Sequence, residues 1–255
     1  MSINGPKSLI SRLKRRPENF YVIHYSCQNL NDNNEGLSPR ITSIAVVHFA
    51  TDQVISFSAH IVAELLGIER AEVAERYDEV EKGLLEQFYA FAGERRDRHW
   101  VHWNMRSSTY GFEHLEHRYR CLAGIAPPVV PVERRINLND MLARRYGPNY
   151  VPHPRMVNLM ELNGGLGKDF LPGAEEVKAF SNGEFIKLHK SVIAKVGFFT
   201  SALRKMVTGR LKTASSGWGQ KIDSALESRL SKSIAVVAAI LGLVGGVTTL
   251  INIFW

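Results

Sequence analysis

Cysteine is scarce in this chain of 255 residues, which contains only Cys27 and Cys121. Two cysteines so far apart are too few for a disulfide framework or a cysteine-based metal site, so we expect reduced thiols. An apolar secretory signal is also missing, because the basic N-terminus is followed by Pro17 and mixed residues. His114 and His117 lack a third ligand in register and are expected to form a surface pair. The sequence therefore predicts a cytosolic domain without a bound metal.

Acidic residues are rare in residues 185–232, which contain ten basic side chains but only Asp223 and Glu227. The excess of eight positive charges is larger than the net charge of +7 for the whole chain, so the remainder is close to neutral. We interpret this segment as a basic helical connector that contacts an anionic partner, either a bilayer or nucleic acid. The residues expected to make this contact are Lys187, Lys190, Lys195, Arg204, Lys205, Arg210 and Lys212.

Ionisable side chains are absent altogether from residues 234–255. At a rise of about 1.5 Å per residue, a helix of this length reaches about 33 Å, enough to cross a hydrocarbon core of about 30 Å. Residues 233–255 are therefore predicted to form a transmembrane helix, with a buried core helix as the alternative. Because Arg229 and Lys232 precede this segment, the positive-inside rule places residues 1–232 in the cytoplasm, at a bacterial inner membrane.

Small residues recur on one face of the predicted span, at Ala238, Gly242 and Gly246. This spacing lets two helix backbones approach closely and favours self-association in the membrane. Asn252 adds a polar side chain that prefers a partner helix or water to lipid. The alternative is that glycine is common in transmembrane helices in general and that Asn252 lies near the interface.

The order of predicted elements indicates an α/β domain. Runs rich in aromatic and β-branched residues predict strands, and apolar residues at spacings of three and four predict helices. The predicted strands are residues 20–25, 41–49, 53–57 and 99–103, and the predicted helices are residues 69–91, 112–122, 138–145, 157–162 and 185–206. We divide the chain into a basic N-terminal arm (1–19), a cytosolic α/β domain (20–184), the basic helical connector (185–232) and the transmembrane helix (233–255).

Three short motifs within residues 20–180 resemble those of the DEDD exonucleases, a family with the ribonuclease H-like fold. The first motif comprises residues 21–30 with residues 41–46, the second comprises residues 100–105, and the third comprises residues 136–142. In that family the first strand carries an Asp and, two residues later, a Glu, and the second motif is a strand that ends in His-Asn. The resemblance implies a three-layer, ribonuclease H-like α/β domain.

The catalytic positions of that family are altered in this chain. His24 and Ser26 stand where the family has its Asp and Glu, and neither replaces a carboxylate in a site for hard divalent cations. His102 and Asn104 match the second motif, but the Asp expected after them is missing. The remaining carboxylates show no spacing that gathers them and are expected to be solvated: Asp32, Glu35, Glu113, Asp140, Glu175 and Glu176. We therefore predict a binding module without catalysis or cofactor, with a membrane-tethered, metal-dependent DEDD-like nuclease as the alternative.

The whole architecture resembles the transmembrane effectors of bacterial antiphage systems, including those of retrons. That resemblance implies that a partner, such as a reverse transcriptase with its RNA–DNA hybrid, restrains the protein until infection. Release then lets the spans associate and disrupt the inner membrane. A passive tail-anchored scaffold is a third interpretation, and it predicts neither toxicity nor nucleic-acid cleavage.

Overall fold

A computed structural model describes residues 5–29 and 38–214 of the chain. The strands are β1 (Phe20–Cys27), β2 (Ile41–His48), β3 (Val54–Ser58), β4 (His99–His102) and β5 (Arg135–Asn137). The helices are α1 (Pro6–Arg15), α2 (Ala59–Leu65), α3 (Tyr77–Gly93), α4 (Phe112–Ala123), α5 (Leu138–Tyr146), α6 (Arg155–Leu162), α7 (Gly173–Ser181) and α8 (Phe185–Val207).

The five strands form one mixed sheet in the order β3-β2-β1-β4-β5. Strand β1 pairs antiparallel with β2, which pairs antiparallel with β3. On its other side β1 runs parallel to β4, and β4 runs parallel to β5. Strands β1, β4 and β5 therefore run in the same direction, with β1 extending four residues beyond the end of β4. We call the side where these three strands finish the carboxyl edge and the side where they start the amino edge.

Helices cover both faces of the sheet, which gives three layers. Alternate side chains of a strand point to opposite faces, and along β1 Ile23 joins a core with α3 and α4 while Val22 joins a core with α1, α5 and α8. We call these two sides the α3 face and the α8 face. The α/β class is confirmed, and so is the burial of the central strand on both faces.

Helix α8 lies across β1 and β2 as part of the core. Its apolar residues Leu188, Val192, Val196, Phe199 and Leu203 recur at spacings of four and three and are fully buried. That period places one continuous apolar stripe against the sheet. The helix predicted within the basic connector is confirmed, and the structure places it inside the α/β core.

The N-terminal arm is also packed against this core. Pro6 opens α1, and Leu9 and Leu13 are buried on the α8 face at 0% and 2% exposure. Basic side chains occupy the outer side of the same helix, with Arg12, Lys14 and Arg15 in its last turn.

Several element boundaries differ from those predicted from the sequence. Helix α3 begins at Tyr77, because residues 70–76 form turns. Val73 packs into the same core from these turns and so imitates the helical period. Helices α2 and α7 and strand β5 were not predicted, and β5 is only three residues long.

Within residues 5–29 and 38–214, no helix combines the length and the apolar character needed to cross a membrane. The predicted transmembrane helix, with Ala238, Gly242, Gly246 and Asn252, lies outside the described residues. Its membrane insertion stays a prediction.

Candidate functional site at the carboxyl edge

The residues of the DEDD-like motifs cluster near the carboxyl edge, but on different faces of the sheet. The β1–β4 register aligns Ile23 with His102, so both side chains point to the α3 face. His24 follows Ile23 and therefore points to the α8 face. Its contact with Phe199 of α8 and the contact of His102 with Phe112 of α4 agree with this assignment. The sheet thus keeps the two histidines apart.

His24 is enclosed by aromatic side chains. Its Nδ1 lies 3.0 Å from the Tyr110 hydroxyl oxygen, and that hydroxyl lies 3.0 Å from the carbonyl oxygen of Tyr25. Tyr110 has one hydrogen to donate, so donation to the Tyr25 carbonyl leaves the Tyr110 oxygen to accept the Nδ1–H of His24. Burial lowers the pKa of His24 well below its ordinary value, and the nearby charge of Lys195 lowers it further. His24 is therefore a neutral hydrogen-bonding group at physiological pH.

Ser26 forms a closed hydroxyl pair with its strand neighbour. Its Oγ lies 2.5 Å from Thr42 Oγ1, which in turn lies 3.1 Å from the carbonyl oxygen of Ser26. Both residues are almost fully buried, at 3% and 1% exposure. The Ser26 hydroxyl is therefore committed to holding β1 against β2.

His102 caps the turn that follows β4. Its Nδ1 accepts the backbone N–H of Met105 at 3.1 Å, so the ring must be neutral at that nitrogen. Burial lowers the pKa of His102 to about 3, with smaller contributions from the charges of Arg135 and Arg106. The hydrogen bond from the Met105 N–H to His102 therefore fixes the turn that follows β4.

Asn104 organises a network of amides beyond the end of β4. It adopts a left-handed backbone conformation with φ 54°, which asparagine tolerates better than most residues. Its Oδ1 accepts hydrogen bonds from Asn137 at 3.2 Å, Asn139 at 3.1 Å and Arg106 at 3.3 Å. Arg106 also pairs with both carboxylate oxygens of Asp140 at 3.1 Å. The hydrogen bonds of Asn104 therefore connect the second motif (residues 100–105) to the third (residues 136–142).

A buried ion pair stands on the α8 face near His24. Lys195 Nζ lies 2.8 Å from Glu176 Oε1, with the two side chains 3% and 8% exposed. Ser191 donates to the same carboxylate oxygen at 3.0 Å, and its own oxygen accepts the N–H of Leu171 at 3.2 Å. Lys195 lies one helical turn before Phe199, the residue whose ring meets His24. The expectations that Glu176 is solvated and that Lys195 lies on a basic surface are both wrong.

The other predicted connector residues have varied surroundings. Lys187 pairs with Glu184 at 3.5 Å, and Lys190 is exposed. Arg204 pairs with Asp52 at 2.6 Å, and Lys205 donates to the carbonyl oxygen of Asn163 at 2.6 Å. Arg210 and Lys212 are exposed beyond the end of α8. Three of the seven predicted residues, Lys195, Arg204 and Lys205, thus bind other parts of the fold.

The carboxylates do not assemble into a metal site within the described residues. No group of three or more His, Cys, Asp or Glu side chains with metal-binding geometry occurs there. Glu113 pairs with Arg135, Asp140 pairs with Arg106, and Glu175 is exposed. Asp32 and Glu35 lie outside the described residues.

His114 is buried, contrary to the predicted surface pair. Its Nδ1 lies 2.9 Å from the Tyr25 hydroxyl, and its Nε2 lies 2.9 Å from the carbonyl oxygen of Pro39. His117 instead lies near the thiol of Cys121, whose Sγ is exposed and 3.6 Å away. His114 therefore links α4 to β1 and to the segment before β2.

No protein-family model matches this chain, and neither a curated protein nor a solved structure shows significant similarity to it. Its function must therefore be argued from its own residues and their geometry.

Proposed function

We propose that this protein is a membrane-anchored effector of a retron-type antiphage system, in which a ribonuclease H-like domain without nuclease activity binds a restraining partner. The sheet of mixed direction between two helical layers supports the ribonuclease H-like assignment. So does the placement of the first and second motifs on β1 and β4, which are paired and parallel.

The observation that carries the absence of nuclease activity is the buried Lys195–Glu176 pair beside His24. Cleavage by two metal ions requires several carboxylates around two divalent cations about 3.5–4 Å apart. Here the α8 face of β1 presents a neutral imidazole, and the charge that acts on it is the ammonium of Lys195. The carboxylate nearby, Glu176, is bound by the Lys195 ammonium and by the Ser191 hydroxyl, so it is not free to ligate a divalent cation.

The anchoring part of the proposal comes from the sequence. Residues 234–255 are free of ionisable side chains and follow a basic segment, which favours a single span with the domain in the cytoplasm. The small residues Ala238, Gly242 and Gly246 share one face of the predicted span and support the association of several spans. Asn252 supports contact with water or with a partner helix. Association of spans is a physical route to membrane disruption once the partner, a reverse transcriptase with its RNA–DNA hybrid, releases the domain.

Two assays test these two parts separately. For the domain, the purified full chain in neutral detergent is incubated with labelled single-stranded DNA or RNA and Mg²⁺ or Mn²⁺, and no cleavage is expected. Cleavage that disappears on Asp140→Ala or Glu175→Ala substitution would establish the nuclease alternative. For the anchor, membranes are washed at alkaline pH, and the chain should remain in the membrane fraction while a chain that ends at residue 232 should not.

A further inference from the structure

An arginine-lined pocket of about 620 Å³ lies at the amino edge, between α1 and the first residues of β1 and β4. It is lined by Arg12, Arg15, Arg16, Asn19, Phe20 and His99. Arg12 and Arg15 lie three positions apart on α1 and project from the same side of the helix, and Arg16 follows them at the C-cap. We call this site the amino-edge pocket.

The two exposed arginines of this pocket, Arg15 and Arg16, have no counter-ion within the described residues. No carboxylate lines it, and none of the ion pairs found among residues 5–29 and 38–214 involves Arg15 or Arg16. Like charges on neighbouring helix positions repel one another. An anion bound among the arginines would remove that repulsion.

His99 holds one of the arginines in place. It is 6% exposed, and its Nε2 lies 3.4 Å from Arg12 Nη1. Burial, with smaller contributions from the charges of Arg134 and Arg12, lowers the pKa of His99 to about 4, so its ring is neutral and accepts from the guanidinium. Nδ1 of the same ring is buried and has no hydrogen-bond partner among the described residues. The pocket therefore contains a positioned guanidinium beside two exposed ones.

The chemistry of the lining selects a phosphate group. Guanidinium groups present planar pairs of N–H donors that match the oxygens of phosphate, and such charge-assisted hydrogen bonds are about twice as strong as neutral ones. Asn19 adds a polar group at the rim, while Phe20 forms an apolar wall.

The position of the pocket favours a membrane over a free nucleic acid as the source of that phosphate. A second cavity, of about 430 Å³, lies beside it between α1 and the end of α8. Of the basic residues that line it, Arg204 and Lys205 bind Asp52 and Asn163 of the fold, and Arg210 is exposed. Leu13 and Pro17 belong to this second cavity, and Arg12 and Arg16 next to them belong to the first. Thr208 and Arg210 of this second cavity lie a few residues before residue 214, where the described chain ends, and eighteen residues (215–232) separate that point from the predicted span.

We propose that the amino-edge pocket binds the phosphate of an anionic phospholipid headgroup, so that α1 and the end of α8 face the bilayer surface. This inference rests on the membrane attachment proposed above and adds the orientation of the domain. Zwitterionic lipids carry a phosphate too, but their neighbouring cation opposes the arginines, so the pocket should prefer phosphatidylglycerol to phosphatidylcholine.

The test uses the full chain in micelles of a neutral detergent and measures the binding of short-chain phosphatidylglycerol by calorimetry. The double substitution Arg15→Gln and Arg16→Gln changes two exposed side chains and should weaken binding by about tenfold or more. The matched control is Lys187→Gln with Lys190→Gln, which removes the same charge at the far end of α8 and should change binding less than about twofold. Inorganic phosphate should compete for the wild-type site.

Three results would overturn the proposal. The first is equal weakening by the arginine and lysine variants, since that indicates a general effect of net charge. The second is the absence of any preference for phosphatidylglycerol over phosphatidylcholine. The third is arginine-dependent binding of a single-stranded oligonucleotide that is tighter than binding of the lipid, which identifies the pocket as a nucleic-acid site.

Failure of the pocket and failure of the anchor give different results. The variant with Arg15→Gln and Arg16→Gln should resist alkaline washing as the wild type does, because the span and not the pocket holds it in the membrane. A chain that stays in the membrane but shows no arginine-dependent lipid preference overturns only the pocket. A wild-type chain released by the wash overturns both.

Discussion

Replacing Glu176 with glutamine leaves the Lys195 ammonium without a counter-charge in a buried site. At the observed 2.8 Å separation the attraction is about 6 kcal/mol for an effective dielectric constant of about 20. Breaking one side of a buried pair typically costs about 3–5 kcal/mol, because the remaining charge stays desolvated. The glutamine oxygen can still accept from Lys195 and Ser191, so we expect a loss near the lower end, about 3 kcal/mol in the free energy of unfolding. That is a large share of the typical stability of a domain, which is about 5–15 kcal/mol.

The assay is urea unfolding of the full chain in neutral detergent, followed by tryptophan fluorescence. Trp103 is a local reporter, because it stacks on Phe199 with ring centroids 5.3 Å apart, one turn from Lys195. The matched control is Glu175→Gln, an exposed neighbour on the same helix, which should shift the unfolding free energy by less than about 0.5 kcal/mol.

A second variant separates the unpaired charge from a packing defect. In the double substitution Glu176→Leu with Lys195→Met both charges are gone, and Ser191 keeps its hydrogen bond from the N–H of Leu171. Stability should return to about the wild-type value, as it often does when a buried pair is replaced by apolar residues. Two results would refute the prediction. One is that Glu176→Gln is as stable as Glu175→Gln, and the other is that the double variant is less stable than Glu176→Gln.

Three further predictions concern the carboxyl edge and its histidines. Burial lowers the pKa of His102 to about 3 and that of His114 to about 4. The unfolded chain therefore takes up protons below about pH 6.5 that the folded chain does not. The unfolding free energy should fall by up to about 1.4 kcal/mol per pH unit for each histidine between pH 6.5 and 4. Urea titrations at pH 7.5 and 5 measure this fall, and equal stability at both pH values would contradict it. Asn104→Ala removes an acceptor of three hydrogen bonds and a residue suited to φ 54°. Thermal melting should therefore show that the free energy of unfolding falls by about 2–3 kcal/mol, whereas a fall below about 0.5 kcal/mol would mean that the network contributes little. Gly111→Ala places a Cβ 2.6 Å from the Ser107 carbonyl oxygen, so it should destabilise the turn before α4 by about 1–3 kcal/mol. Gly124→Ala is the comparison variant, because a Cβ there meets open space and only the positive φ opposes it.

The strands of the sheet could largely be predicted from the sequence. Residues 20–27 and 41–48 are rich in aromatic and β-branched side chains, and the polar residues that lie between these two runs mark where the strands end. Strand β5 has only three residues, which is too short for any period to appear. The start of α3 could not be placed because Val73 packs into the core from a turn at a spacing that fits a helix.

The arrangement of the candidate site depended on contacts that sequence spacing does not encode. Whether His24 and His102 share a face follows from the register between β1 and β4, and nothing local to either strand fixes that register. Lys195 did carry a signal, since it lies seven residues after Leu188 and four before Phe199, within the apolar stripe of α8. Its partner Glu176 belongs to a separate helix, and only the packing of α7 on α8 brings the two together.

The proposed effector function depends on a membrane segment that acts when the chain is unrestrained. The most direct test is the membrane potential of bacterial cells that express the full chain, read with a voltage-sensitive dye, beside cells that express residues 1–232 and cells that express a chain with Gly242→Leu and Gly246→Leu. Depolarisation by the full chain alone is the predicted result, because the truncated chain lacks the span and the leucines block close approach of the helices. A normal potential under strong expression of the full chain, or equal depolarisation by residues 1–232, would contradict it.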